Sequence, residues 1–190
     1  MSTQDLFDYA QDQYRRASSI VAEMTETVTQ SQPNFDVAKT KFQFDILVQL
    51  ILLKIALADE SLTEIEGEFI DQITDNYDIM SLYDNSADTE YNWSFVGAWM
   101  GFDHARQLIN RVDKLATEHL REFIQIFAAI DKRSNGKNYL QQLFDCIKCV
   151  VVAFIKCDAR TLEVEVESAV QIVREYLIEP WLAVMNKTNA

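Results

Sequence analysis

Ile51-Leu52-Leu53-Lys54-Ile55-Ala56-Leu57-Ala58-Asp59-Glu60-Ser61-Leu62-Thr63-Glu64-Ile65-Glu66 reads as the end of one helix, a polar turn, and the start of another. Up to Ala58 the run is apolar nearly all round, which marks a helix that is buried on every side. Its polar exceptions are Lys54 and, just upstream, Gln49. Asp59 to Ser61 stops the run. Thr63, with Glu66 three residues later, has the spacing of a capping box, in which each side chain satisfies the other residue's orphan amide. Leu62, just before the cap, is placed to staple the turn.

Working outward, the buried helix begins near Asp36, after the break Gln32-Pro33-Asn34, and the capped helix runs on to about Met80. Upstream, Phe7, Ala10, Tyr14, Ala17, Val21, Met24 and Val28 recur at steps of three and four, predicting a helix over about 5–29 with one apolar seam. That seam serves either internal packing or a homodimer; its two alanines and its tyrosine favour the former. Downstream, 84–90 is a polar loop and 91–102 is dense in aromatics. Further helices are predicted over about 104–130, 139–157 and 162–177, with a loop over 131–138 and a last turn opened by Pro180. Only four Gly and two Pro punctuate 190 residues, which suits long helices rather than many short strands.

The turn has a second copy. Shifted by 99 residues, 51–79 matches 150–178 at eight of 29 ungapped positions. Asp59 falls on Asp158, Glu64 on Glu163, Glu66 on Glu165, Glu68 on Glu167 and Tyr77 on Tyr176. The same shift lays Ala17, Val21, Met24 and Val28 on Ala116, Leu120, Phe123 and Phe127. The predicted fold is therefore all-α: a helical bundle built by tandem duplication of a three-helix unit. The copies would be 1–90 and 103–190, joined by the aromatic junction 91–102 in one fused globular domain.

At the turn the sequence resembles the TerB family, the TerB-like domains of tellurite-resistance proteins. The family pattern is an apolar helix, Asp-Gly, an apolar residue, then a Ser/Thr/Asp cap with Glu three further on. Here Glu60 stands in place of the Gly, Ala159 follows Asp158, and the apolar and Thr positions are exchanged at Thr161-Leu162. The resemblance implies an all-α fold with an internal repeat, acidic clusters proposed to hold a divalent cation, a part in stress-response assemblies, and no established catalysis. Asp59, Glu66, Asp158 and Glu165 are the positions that inherit the acidic site.

The residues supply their own argument for that site. Divalent Ca²⁺ or Mg²⁺ takes oxygen ligands and needs convergent carboxylates. Glu64/Glu68 and Glu163/Glu167 are like-charge pairs four apart, which weaken an isolated helix by about 0.2–0.5 kcal/mol each. Against a site, acidic residues in a first helical turn gain about 0.3–1 kcal/mol from the helix dipole without any metal, and Glu66 has its capping role.

Other constellations read as structural. Cys146-Ile-Lys-Cys149 has redox or zinc spacing, yet Cys146, Cys149 and Cys157 fall on Leu47, Leu50 and Ala58 of the first copy, so they read as small core residues. His104 and His119, on one helix 15 residues apart, stand about 22 Å from each other and share no metal. Asp131 to Gln142 fails an EF-hand loop at its third and twelfth positions, Arg133 and Gln142. No Glu-x-x-His pair, P-loop, dinucleotide fingerprint or nucleophile motif is present, so no catalytic residue and no enzyme is predicted. In the aromatic junction, Trp93, Phe95 and Trp99 are candidates for a protein-partner surface as well as for core.

The net charge of −13, with a pI near 4.5, repels nucleic acid and anionic lipid and suits cations or basic partners. The longest apolar run, 46–58, is too short to span a bilayer. With a polar N-terminus and three cysteines in one apolar segment, a cytoplasmic location is expected. The function expected on these grounds is a non-enzymatic module binding a divalent cation or a protein partner through its acidic turns. The alternative is a metal-free helical adaptor using the aromatic junction or the N-terminal seam.

Overall fold

A computed structural model of the chain describes residues 2–59, 62–73, 123–132, 136–158 and 163–187. These are mostly helical, with no strand among them. In chain order they form α1 (Thr3–Ser31), α2 (Val37–Ala56), a 3₁₀ turn (Leu57–Asp59), α3 (Glu64–Ile73), α4 (residues 123–132) and α5 (Tyr139–Ile155). There follow α6 (Glu163–Val173), a π turn (Arg174–Ile178) and α7 (Glu179–Lys187).

α1 starts two residues before its expected place. Ser2 and Asp5 close a capping box: the Asp5 amide donates to Ser2 Oγ at 3.2 Å and the Ser2 amide to Asp5 Oδ2 at 2.7 Å. The whole predicted seam, from Phe7 to Val28, is buried within the chain. It packs most extensively along α5, and also on α2 and α3. α2 is capped by Asp36, whose carboxylate accepts from the Lys39 amide at 2.8 Å. Its apolar residues from Phe44 to Ala56 are buried on all sides. Even its polar Asp45 is buried, and takes the Tyr14 hydroxyl as a donor.

Aromatic contacts tie the layers together. Phe69 of α3 meets Phe7 of α1 edge-on at 4.9 Å between ring centroids, and Phe154 of α5 at 5.3 Å. Phe44 of α2 stacks on Tyr14 at 5.7 Å and on Phe123 of α4 at 6.3 Å. Edge-to-face and offset pairs of this kind add about 0.5–1.5 kcal/mol beyond the area they bury.

The expected loop over 131–138 begins later than predicted, because Asp131 and Lys132 continue α4. The Asp131 carboxylate is committed to the start of α5: Oδ1 accepts from the Tyr139 amide at 2.6 Å and Oδ2 from the Leu140 amide at 2.9 Å. Asn138, in the residue position that would normally cap α5, is left-handed (φ 52°) and makes no side-chain cap bond. Asn tolerates that conformation, and the carboxylate eight residues back does the capping instead.

The last helix does not stop at Leu177. The Glu179 amide donates to the Arg174 carbonyl, a five-residue step, and the chain continues helically to Lys187. Pro180 explains the widened turn. Its ring has no N–H and clashes with the carbonyl four residues back, and a π turn just upstream absorbs both defects. No helix among the described residues is long and apolar enough to cross a membrane.

Candidate functional site: two facing acidic turns

Each acidic turn ends a long helix, α2 buried nearly all round towards its end and α5 buried along one face. α2 closes as the Leu57 amide bonds back to the Leu53 and Ile55 carbonyls, and Asp59 follows. α5 closes as the Lys156 amide donates to the Ala153 carbonyl at 3.2 Å and the Cys157 amide to the Phe154 carbonyl at 2.9 Å; Asp158 follows. The second turn is stitched to the start of α1, where Thr3 Oγ1 donates to the Cys157 carbonyl at 3.2 Å.

Across the first turn the capping box forms as its spacing predicts. Glu66 Oε2 accepts from the Thr63 amide at 2.8 Å and from the Thr63 hydroxyl at 2.9 Å, while the Glu66 amide donates to Thr63 Oγ1 at 3.2 Å. In the second copy Leu162 occupies the position equivalent to Thr63 and has no hydroxyl to offer. Even so, Glu165 is as buried as Glu66, each only 4% exposed.

The two turns lie together. α6 packs against the Leu57–Asp59 turn and along α2. This brings Glu165, at the start of α6, into the same region as Glu66. Burial pushes the Glu66 carboxyl above its ordinary value. The Thr63 bonds oppose that rise, and the charges of Glu165 and Asp158 add to it. The Cys157 thiol reports the same neighbourhood: burial first, then Asp158, Glu66 and Glu165, push it up to about 12.

Of the four predicted residues, Asp158 and Glu165 thus act electrostatically on Glu66, and the Asp59 turn rests on the helix that carries Glu165. Asp59 and Asp158 are half-buried. Glu64, Glu68, Glu163 and Glu167 are exposed. Among the described residues, no three His, Cys, Asp or Glu side chains are grouped as a ready metal-binding set. The Glu66 carboxylate is drawn towards its cap.

The cysteines behave as the repeat predicts. Cys146 and Cys157 are buried, Cys149 is half-buried, and all three are free thiols. Burial raises the Cys146 and Cys157 thiols, which makes them poor nucleophiles and poor ligands. The EF-hand-like start at Asp131 is accounted for by the α5 cap. Trp93, Phe95 and Trp99, and both histidines, lie outside the described residues.

Sequence reasoning missed the joint burial of Glu66 and Glu165. A signal existed for the burial of each, though not for their meeting: both stand three residues after equivalent positions, Thr63 and Leu162, at the inward step of their helices. Comparison of the chain with protein-family models, with curated proteins and with solved structures finds no match.

Proposed function

We propose that the chain is a non-enzymatic, TerB-like module, a tandem duplication whose two acidic turns together take up one divalent cation of the Ca²⁺ or Mg²⁺ kind. The duplication is supported by element boundaries. Helix ends at Ala56 and Ile155, and helix starts at Glu64 and Glu163, differ in number by 99, the same shift that aligns the sequences.

The observation that carries the cation reading is the shared burial of Glu66 and Glu165 with Asp158 beside them. Carboxylates confined together resist ionising, and a hard cation removes that penalty while accepting oxygen ligands. Glu66, Glu165 and Asp158, which are not grouped as a ready set as they stand, would have to converge to serve as its anionic ligands. Backbone carbonyls of the turns, the Asp59 carboxylate and water would complete the six to eight oxygens that Ca²⁺ prefers. A cytoplasmic setting suits three unpaired thiols. The resemblance puts such a module in a stress or tellurite-resistance assembly, with a protein as the next partner.

One observation favours a second reading. The complete Thr63–Glu66 capping box gives Glu66 a structural task that needs no metal. On that reading the chain is a metal-free adaptor, with Trp93, Phe95 and Trp99 as its partner surface.

Calorimetric titration of EDTA-stripped protein with Ca²⁺, Mg²⁺ and Mn²⁺, beside a Glu66→Gln/Glu165→Gln variant, separates the two. Saturable binding that the variant loses supports the cation site. Absence of binding, or binding unchanged in the variant, overturns it and leaves the adaptor.

A further inference from the structure

The helical run from Glu163 to Lys187 has two apolar faces. The inner one, carrying Ala169, Ile172, Tyr176 and Leu177, is buried in the core. The outer one consists of Val166, Val170, Ile178, Leu182 and Met185, all exposed, with Val170 the most so at 66%. These five follow one another at steps of four and three, with Arg174 filling the place between Val170 and Ile178. Steps of four drift slowly round an ordinary helix. The widened turn at Arg174–Ile178 takes up that drift, so the residues before and after it share one side. Among the described residues nothing buries this outer stripe, and a row of large apolar side chains on a surface marks a contact.

Charge indicates what contact. Glu163, Glu167 and Glu175 stand exposed beside the stripe. The one cation in the row, Arg174, is turned to Glu179, with its Nε donating to Oε1 at 3.0 Å. The whole chain carries −13. A second copy would bring the same acidic border and the same net charge.

We infer that the outer face of Glu163–Lys187 docks a basic amphipathic helix of a partner protein. The partner's apolar residues, at helical spacing, would lie along Val166, Val170, Ile178, Leu182 and Met185, and its Lys or Arg side chains would meet Glu163, Glu167 and Glu175. A straight ridge of side chains four apart is what a second helix packs against. This surface is separate from the buried carboxylates on the inner side of the same helix.

The test uses the full chain in EDTA, so that it does not depend on cation uptake. The probe is a fluorescein-labelled synthetic peptide of about five helical turns, with leucines on one face and lysines on its flanks. A peptide of identical composition with the stripe scrambled is the control. Anisotropy should show saturable binding of the striped peptide and weaker binding of the scrambled one. Val170→Glu/Leu182→Glu should weaken the striped peptide about tenfold or more, as should Glu163→Gln/Glu167→Gln at low salt. All four substituted positions are exposed, and unchanged circular dichroism would confirm intact folds. Equal binding of both peptides, or no loss in Val170→Glu/Leu182→Glu, overturns the inference. So does sedimentation showing a wild-type dimer that the same variant dissociates, since the stripe then belongs to a second copy.

Discussion

Glu66 carries two opposed demands. Its Oε2 completes a cap on Thr63, which favours the carboxylate, while burial and the charges of Glu165 and Asp158 favour the protonated acid, and the second set prevails. The folded chain therefore holds this proton more tightly than the unfolded chain, whose glutamates titrate near 4.5. By linkage, the stability this group contributes is fully present below the unfolded value and is lost as pH rises through the raised folded value. Metal-stripped protein should accordingly show a urea midpoint that falls as pH rises through that window. In Glu66→Gln the fall should be smaller, because the amide still accepts from Thr63 but carries no charge. Urea titrations of both proteins across that range check the difference. The cap was legible in the sequence, since Thr63 and Glu66 lie three apart before an apolar step. The companionship of Glu66 and Glu165 was not, because it depends on where α6 lands against α2 and the first turn, about a hundred residues along the chain.

At the scale of elements, helices with one clear seam or an all-apolar run were readable, and their ends less so. The Phe7 to Val28 seam and the buried α2 lie where periodicity puts them, because burying a continuous stripe outweighs any local preference. The ends that differ were set by single polar side chains. Ser2 and Asp5 draw α1 two residues earlier, and Asp131 caps α5 from the end of α4. A cap supplied from eight residues upstream leaves no local spacing to recognise. Asp131→Ala should cost about 0.5–2 kcal/mol, the range for losing an N-cap acceptor. Hydrogen exchange should place the loss in the first turn of α5, at Tyr139 and Leu140, with α1 little changed. The π turn was hidden for another reason: Pro180 announces a defect, but a helix can stop or widen there, and packing of Tyr176 and Leu177 into the core favours widening.

For the whole molecule, the helices that carry the acidic turns are joined through one hydrophobic interior. Phe69 is the piece that joins α3, and hence Glu66, to α1 and α5 through Phe7 and Phe154. Phe69→Ala should cost about 3–5 kcal/mol, as large-to-small changes of a buried phenylalanine do. Denaturant unfolding measures that loss. The central claim is that Glu66 and Glu165 belong to one electrostatic site spanning both turns. Its most direct test is a carboxyl-resolved NMR pH titration of metal-stripped protein, following Glu66 in the wild type and in Glu165→Gln. The account predicts a raised Glu66 pKa in the wild type that moves down towards the ordinary glutamate value once the Glu165 charge is gone. A Glu66 titration that is the same in both proteins would contradict it.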